Sequence, residues 1–443
     1  MSEKLLSVGL DVGTTSTQLV VSELEVENRA GSFATPQMEI ANRKILYKSP
    51  VHFTPLLCGE RVDADKLRQI VDSEYEKAGI RKDDVDTGAV IITGETSRKE
   101  NAAAVLEAMA DYAGEFVVAT AGPHLESILA AKGAGAVAFS EATGKTVLHM
   151  DIGGGTSNLA LIESGKITAT TCLNVGGRLL KINPDGQLTY VSPVLEGLFS
   201  YKIKDYVNRE TVLGLAGLLV HALEMAAGRR ERGPLLEQLM TAEAGSSWVS
   251  VPADAVLSFS GGVADCIENT QPWLSYGDLG PELGQAIRKS RLCENAYVLG
   301  EETIRATVIG AGCHSTQLSG STVFLQNVQL PLKNLPVAES IAELAALDGP
   351  GVLALEGLQS PVYEQVQALA EEVCGAFADR PVLLALQEDM AKALGQQLAL
   401  KLGKNAQILC IDRVRLQSGD YLDVGTPVGP ALPVVIKTLI LAR

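Results

Sequence analysis

Asp151-Ile152-Gly153-Gly154-Gly155-Thr156-Ser157-Asn158 joins one apolar run, Thr146–Met150, to a second, Leu159–Ile162. A carboxylate at a strand end followed by three glycines leaves backbone N–H groups open to an anion, because no side chain stands in front of them. The carboxylate is wrong for touching phosphate and right for holding a hydrated Mg2+ beside it. The same design stands near the N-terminus. There Ser7–Leu10 leads into Asp11-Val12-Gly13-Thr14-Thr15-Ser16-Thr17, and Gln18–Val21 follows. Three consecutive glycines carry an entropic penalty that a mere turn does not require. Two such units, each with a leading Asp, glycine and hydroxyl residues, point to two related half-domains facing one nucleotide.

The elements that must position these turns are legible around them. Strands are expected at Leu5–Leu10, Thr17–Leu24 and within Glu39–Phe53, a helix at Asp63–Ala78 and a buried strand at Ala89–Thr93. A helix over Glu100–Tyr112, a strand at Phe116–Thr120 and a helix over Pro123–Lys132 follow. From Lys145 the pattern restarts, with strands at Val147–Met150, Ser157–Glu163 and Ile167–Leu173 and a long helix over Arg209–Ala227. A strand at Ala255–Ser260 runs into Gly261-Gly262, and a small-residue helix over Glu301–Thr316 ends the second unit. Strands alternating with helices argue for an α/β sheet covered on both faces. The tail has its own strands at Val352–Ala354, Val382–Ala385 and Ile408–Ile411, with helices at Tyr363–Phe377 and Met390–Leu402. The organisation expected is 1–144 for the first half-domain, 145–319 for the second and 320–443 for a C-terminal α/β segment packed on the first.

Composition limits the partners. The 443 residues are 46% hydrophobic and 20% charged, ordinary values for a folded globular chain with room for two or three domains. A net charge of −16 argues against nucleic acid or an anionic membrane as a partner. Seven scattered cysteines with no Cys-x-x-Cys pair fit reduced thiols in a cytoplasm. The apolar run after Lys4 is cut by Asp11, so a signal peptide is not expected, and Val212–Val220 is too short to span a bilayer.

Asp11–Ser16 and Asp151–Thr156 resemble the two phosphate motifs of the ATPase superfamily of actin, heat-shock chaperones and sugar kinases. Ser258-Phe259-Ser260-Gly261-Gly262 resembles its adenosine motif. The small-residue stretches Leu125–Gly135 and Arg305–Gly312 resemble the two helices that cross between its half-domains. Gly176-Gly177 stands where that family begins its second-domain helix. The resemblance implies two actin-like, ribonuclease H-like half-domains around a nucleotide cleft. It further implies that Asp11 and Asp151 position Mg2+, and that Gly13, Thr14 and Thr15 hold the phosphates of ATP. Gly153, Gly154, Gly155 and Thr156 would cradle phosphate from the other side, and Gly261 and Gly262 would let adenosine pack on backbone. Chaperone members carry a second Asp where this chain has Asn158, an amide that orients water but takes no proton. The chaperones' catalytic Lys has no identifiable counterpart. Slow, switch-like hydrolysis is expected, with Asn158→Asp leaving it unchanged or raising it.

Over the whole chain the resemblance narrows to the reactivating factors of ethanolamine ammonia-lyase. It rests on Leu10–Gln18, Ile91–Thr96, Val117–Leu125, His149–Asn158, Gly425-Thr426-Pro427 and Leu432–Ile436. That family implies a chaperone-like ATPase acting on an adenosylcobalamin enzyme. It would use ATP to release damaged cobalamin and admit an intact cofactor, with ATP and ADP as ligands and the lyase as client. A cytoplasmic place, in association with the ethanolamine bacterial microcompartment, is expected; a homodimer is one option for an oligomeric state that the sequence does not reveal. The rivals on the same fold are a nucleotide-binding scaffold with little turnover, a small-molecule kinase and an actin-like filament.

Other chemistry is weaker. Gly144-Lys145-Thr146 has the tail of a Walker A loop, but Phe139 occupies the place of its first glycine. His124 reads as a polar helix-start residue and His149 as a core histidine. Cys313-His314 has no spaced partner. Glu141, Asp265 and Arg305 fall near the expected cleft without an assigned role.

Overall fold

The computed structural model describes residues 3–13, 16–28, 38–57, 61–92, 105, 109, 123–241, 248–300, 302–314, 316–320, 322–347, 349–377, 380–418, 420–429 and 431–438. Thr14, Thr15, the strand at 116–120, the 93–96 and 117–122 motifs and all but Val105 and Met109 of the helix at 100–112 lie outside the described residues.

The first sheet grows from a hairpin. Strands β1 (Glu3–Val12) and β2 (Ser16–Asn28) pair antiparallel, and β3 (Met38–Lys48) adds to the far side of β2. A short strand β4 (His52–Phe53) returns to the start of β2. Helix α1 (Ala64–Ala78) starts where the Asp63 side chain accepts from the Lys66 amide, and stops at Gly79 with φ of 70°. Strand β5 (Thr87–Ile92), buried along its whole length, then runs parallel to β1. The order is β3-β2-β1-β5. Helices α2 (Pro123–Gly133) and α3 (Ala136–Thr143) lead out of this half.

The second half repeats the plan. Strands β6 (Val147–Ile152), β7 (Ser157–Glu163) and β8 (Lys166–Leu173) are antiparallel neighbours. Helix α4 (Arg209–Ala226), capped by Asn208, precedes β9 (Val256–Ser260), which is parallel to β6. Helix α5 (Gly280–Arg288) and β10 (Tyr297–Leu299) complete the order β8-β7-β6-β9-β10. Among the described residues, three antiparallel strands are followed by one parallel strand in the first half and by two in the second, the actin-like class expected from the motifs.

Two expectations need correcting. The helix placed over 301–316 is only α6 (Ala306–His314). Before it, the Thr303 carbonyl accepts from the Gly261 amide at 3.0 Å and from the Ala306 amide at 3.2 Å in a tight turn. After it, Thr316–Leu318 is strand β11, pairing with residues 433–435. No helix begins at Gly176-Gly177; the chain runs on into a short strand, Leu180–Ile182.

Helices α2 and α6 cross at bare backbone. A Cβ on Gly133 would run into the Ala306 carbonyl, and one on Gly310 into the Leu129 carbonyl. Helix α6 also lies on β1, where a Cβ on Gly9 would stand 2.5 Å from the Val308 carbonyl oxygen. Helix α6, which comes from the second half of the chain, thus packs on the sheet of the first, while its Thr307 reaches back to Asp151 of the second.

The remaining strands are β12 (Phe324–Gln326), β13 (Leu332–Ala338), β14 (Val352–Leu355), β15 (Val382–Leu386), β16 (Ile408–Ile411), β17 (Asp420–Val424) and β18 (Pro433–Thr438). With β11 they form a third sheet in the order β11-β18-β17-β13-β14-β15-β16-β12. Helices α7 (Tyr363–Ala376) and α8 (Ala391–Leu402) bury Val366 and Leu394 against Leu353, Leu384 and Cys410 of one face. Val435 of β18 is buried with Ile91, Leu129 and Ala311, so this sheet is anchored where β5, α2 and α6 meet.

Candidate functional site

Both turns close in the same way. The Gly13 amide donates to the Ser16 carbonyl at 2.9 Å, and the Gly153 amide donates to the Thr156 carbonyl at 2.9 Å. In the first hairpin Asp11 stands opposite Gln18; in the second Asp151 stands opposite Asn158. The first turn is braced from outside, since Thr54 Oγ1 donates to the Gly13 carbonyl at 2.8 Å. Thr14 and Thr15 lie outside the described residues.

The triple glycine is open. A Cβ on Gly155 would meet nothing within 4 Å, and those on Gly153 and Gly154 would meet atoms only at 3.5 Å. Nothing in the protein forbids a side chain at Gly155; what such a side chain would exclude is a ligand on the backbone N–H groups. Behind the turn, the Gly177 and Arg178 amides donate to the Gly153 and Gly154 carbonyls at 3.0 and 2.6 Å. The two glycines of the adenosine motif differ. Gly261 has φ of 87° and its missing Cβ makes room for the backbone of Ile152, whereas Gly262 is exposed and a Cβ there would meet only the Ile304 side chain, at 3.8 Å.

Asp151 is buried, 8% exposed. Ser260 Oγ donates to its Oδ1 at 2.5 Å and Thr307 Oγ1 to its Oδ2 at 3.3 Å. Burial pushes its carboxyl up to about 6, against the pull of the two hydroxyls. The Ser260 proton is committed to Asp151, so Ser260 accepts from Nε2–H of His149 at 3.0 Å. Nδ1 of the same ring then accepts from Ser258 Oγ at 3.0 Å. Burial drives His149 down to about 3, so it is neutral and holds one tautomer. It is a satisfied core histidine, and it is the third link of a chain ending on a cleft carboxylate.

The structure supplies a carboxylate that the spacing of motifs did not reveal. Asn158 Nδ2 donates to Oε2 of Glu126, in the first turn of α2, at 2.7 Å, and both residues are buried. The one sequence signal for it was an acidic residue just inside a helix that begins with Pro123. Arg178 is a second addition: its stem lies over Gly154 and its Nε is 3.2 Å from Asp278. Burial raises the Asp278 carboxyl.

Other singled-out residues take structural posts. His124 Nδ1 meets Thr170 Oγ1 at 2.5 Å. Cys313 Sγ lies 3.0 Å from Ser22 Oγ. Gly144 is the left-handed C-cap of α3, which makes Lys145 a loop cation. Arg305 Nη2 donates to the Ser49 carbonyl at 3.1 Å, and Asp265 accepts from Thr303. Glu141 packs beside Gly165.

The donors fit a hard divalent cation that keeps its waters. They are all oxygen, with one carboxylate leading each turn, and buried Asp151 lacks a neutralising charge. Among the described residues no three His, Cys, Asp or Glu side chains gather to ligate a metal directly. Among them, too, no helix is long and apolar enough to cross a membrane.

The family model described as "Ethanolamine utilisation protein EutA" matches residues 3–348 and 342–442. The chain is 38% identical over 474 residues to the ethanolamine ammonia-lyase reactivase EutA of Salmonella typhimurium, covering 99% of each chain. It is likewise 38% identical over 471 residues to the ethanolamine ammonia-lyase reactivase EutA of Escherichia coli, again covering 99% of each. Among solved structures, the Aquifex aeolicus PPX-GPPA enzyme matches with a TM-score of 0.43 and 12% identity, covering 70% of this chain and 99% of that one. The ethanolamine utilization protein EutJ of Carboxydothermus hydrogenoformans matches with a TM-score of 0.35 and 19% identity, covering 69% and 89%.

Proposed function

The chain belongs to the ethanolamine utilisation protein EutA family, and from that footing we propose that it is a chaperone-like ATPase that reactivates ethanolamine ammonia-lyase. In this reading it spends ATP to release damaged cobalamin from the lyase in exchange for intact adenosylcobalamin. The observation that carries the ATPase half is the matched pair of turns, each led by an Asp and closed by the same Gly amide, on two half-domains joined by α6.

Asp11 and Asp151 would hold Mg2+ through its waters, and the Gly154, Gly155 and Thr156 amides would cradle phosphate, the Gly153 amide being spent on closing the turn. Bound there, Mg2+ supplies neutralising charge beside the phosphoryl oxygens. The 13–16 turn, with Thr14 and Thr15, would hold the β- and γ-phosphates from the facing half. Exposed Gly262 would leave room for adenosine. Glu126 would take the proton of the attacking water, with Asn158 fixing the direction of its carboxylate through the 2.7 Å bond. A nucleotide drives the client only by binding two shapes unequally. The element to bias is the closure of the two halves about α2 and α6. The third sheet, anchored at that crossing, would carry the movement to the lyase.

The test is ATP hydrolysis with and without lyase inactivated by hydroxocobalamin, while release of the bound corrinoid is followed. Release that requires Mg2+, ATP and an intact Asp151 is expected. Hydrolysis without release would overturn the client, and phosphorylation of a small acceptor would favour the kinase.

A further inference from the structure

Gln18 and Asn158 occupy the same place in the two hairpins, each directly across the strand pair from the Asp that leads its turn. Both are buried, 4% and 5% exposed. Each amide nitrogen is already spent. Gln18 Nε2 donates to the Ile304 carbonyl at 3.2 Å, and Asn158 Nδ2 donates to Glu126 at 2.7 Å. Those bonds fix which end of each amide is the oxygen. Both oxygens, Gln18 Oε1 and Asn158 Oδ1, are buried without a hydrogen-bond partner. A buried, unpaired acceptor is costly, and two in symmetry-related positions are not an accident of packing in one corner. Both side chains lie on the side of their sheets that meets the crossing helices. Gln18 reaches the residue just before Arg305 and α6, and Asn158 reaches α2.

An amide oxygen beside a carboxylate attracts a ligand that presents hydrogen-bond donors and positive charge together. A divalent cation wrapped in its own water does so. We propose that Gln18 and Asn158 are a matched pair of outer-sphere acceptors, which bind the water shell of the cation that Asp11 and Asp151 attract. The pair makes the site select a cation for the waters it retains rather than for direct ligation. Mg2+ dehydrates reluctantly and suits such a site. This rests on the nucleotide reading above and adds two residues and a rule of selectivity to it.

Hexaamminecobalt(III) tests the rule. It is exchange-inert, carries only N–H donors on its outside and permits no direct metal–protein bond. Binding of a fluorescent ADP analogue to the full chain is titrated with Mg2+, with hexaamminecobalt(III) and with no cation. The same titration is made on Gln18→Leu, Asn158→Leu and Gln18→Glu, each first shown to be folded by circular dichroism. The expected result is that either cation supports nucleotide binding by the native protein. Each Leu variant should lose about five- to tenfold in affinity with hexaamminecobalt(III). Gln18→Glu, which keeps an acceptor oxygen, should retain binding. Support by Mg2+ but not by hexaamminecobalt(III) overturns the outer-sphere pair and leaves the nucleotide site standing. Equal hexaamminecobalt(III) affinity in native protein and Leu variants overturns it as well. No nucleotide binding with either cation removes the nucleotide reading and this inference together.

Discussion

The amide nitrogen of Asn158 donates to Oε2 of Glu126 across 2.7 Å, and so ties the end of the Asp151–Asn158 turn to the first turn of α2. From sequence alone, Asn158→Asp was expected to leave hydrolysis unchanged or raise it. The hydrogen bond reverses that sign. Two carboxylates at this distance cannot both ionise, so one keeps a proton and its pKa rises. Asn158→Asp should therefore lower ATP hydrolysis at neutral pH and shift the rate optimum upward. A pH–rate profile of the variant checks it, and an unshifted optimum at native rate would remove Glu126 from the role of base.

Glu126→Gln keeps a partner for Asn158 and removes the basic oxygen. It should cut turnover by roughly a hundredfold or more while leaving ADP affinity within about twofold, as expected for a group acting on a proton in the transition state. Single-turnover hydrolysis alongside ADP titration separates the two effects.

Burial lifts the Asp151 carboxyl to about 6 in the ligand-free chain. A carboxylate whose folded pKa exceeds its unfolded one binds more protons when folded, so stability falls as pH rises from about 4 through about 6. The destabilisation is fully present above that window and amounts to at most about 3 kcal/mol. Asp151→Asn should therefore raise the Tm of the protein at about pH 7.5, roughly one and a half units above the window, and lose that advantage toward about pH 4. The same variant should abolish Mg2+-dependent turnover. Thermal melts across the pH range decide the first point and a phosphate-release assay the second.

His149 carries the opposite dependence. Burial holds it down to about 3, so it stays neutral when folded and its stabilising contribution is lost as pH falls from about 6.5 through about 3. Its ring nitrogens should keep the neutral Nε2–H pattern in 15N NMR down to about pH 5. An imidazolium pattern at pH 6 would break the chain from Ser258 to Asp151.

Two glycines should respond oppositely to a side chain. Gly310→Ala drives a Cβ into the Leu129 carbonyl at the helix crossing and should cost about 3 kcal/mol or more, read as a fall in Tm. Gly155→Ala meets nothing in the protein, so the Tm should hold while nucleotide affinity falls about tenfold. A stable Gly310→Ala protein would mean that the crossing is looser than the backbone contact indicates.

What residues lying side by side can encode was legible without coordinates. The Asp11–Ser16 and Asp151–Thr156 turns are each closed locally, by a Gly amide donating to the carbonyl three residues on, and apolar runs placed β6, β7, β9, β15 and α7 to within a residue or two. The end of α6 was not legible. Small residues continue past His314, and only the pairing of Thr316 with Val435 pulls the chain into a strand. The working partners were not legible either. Glu126 and Asn158 are 32 residues apart, Asp151 and Ser260 are 109 apart, and Gln18 and Ile304 are 286 apart. The sequence by itself determined that two carboxylate-led turns exist, because their geometry is local. Tertiary structure alone decided which hydroxyls meet Asp151 and which groups meet Gln18 and Asn158, because a hydrogen bond depends on ångströms between atoms that only the helix crossing and sheet register bring together.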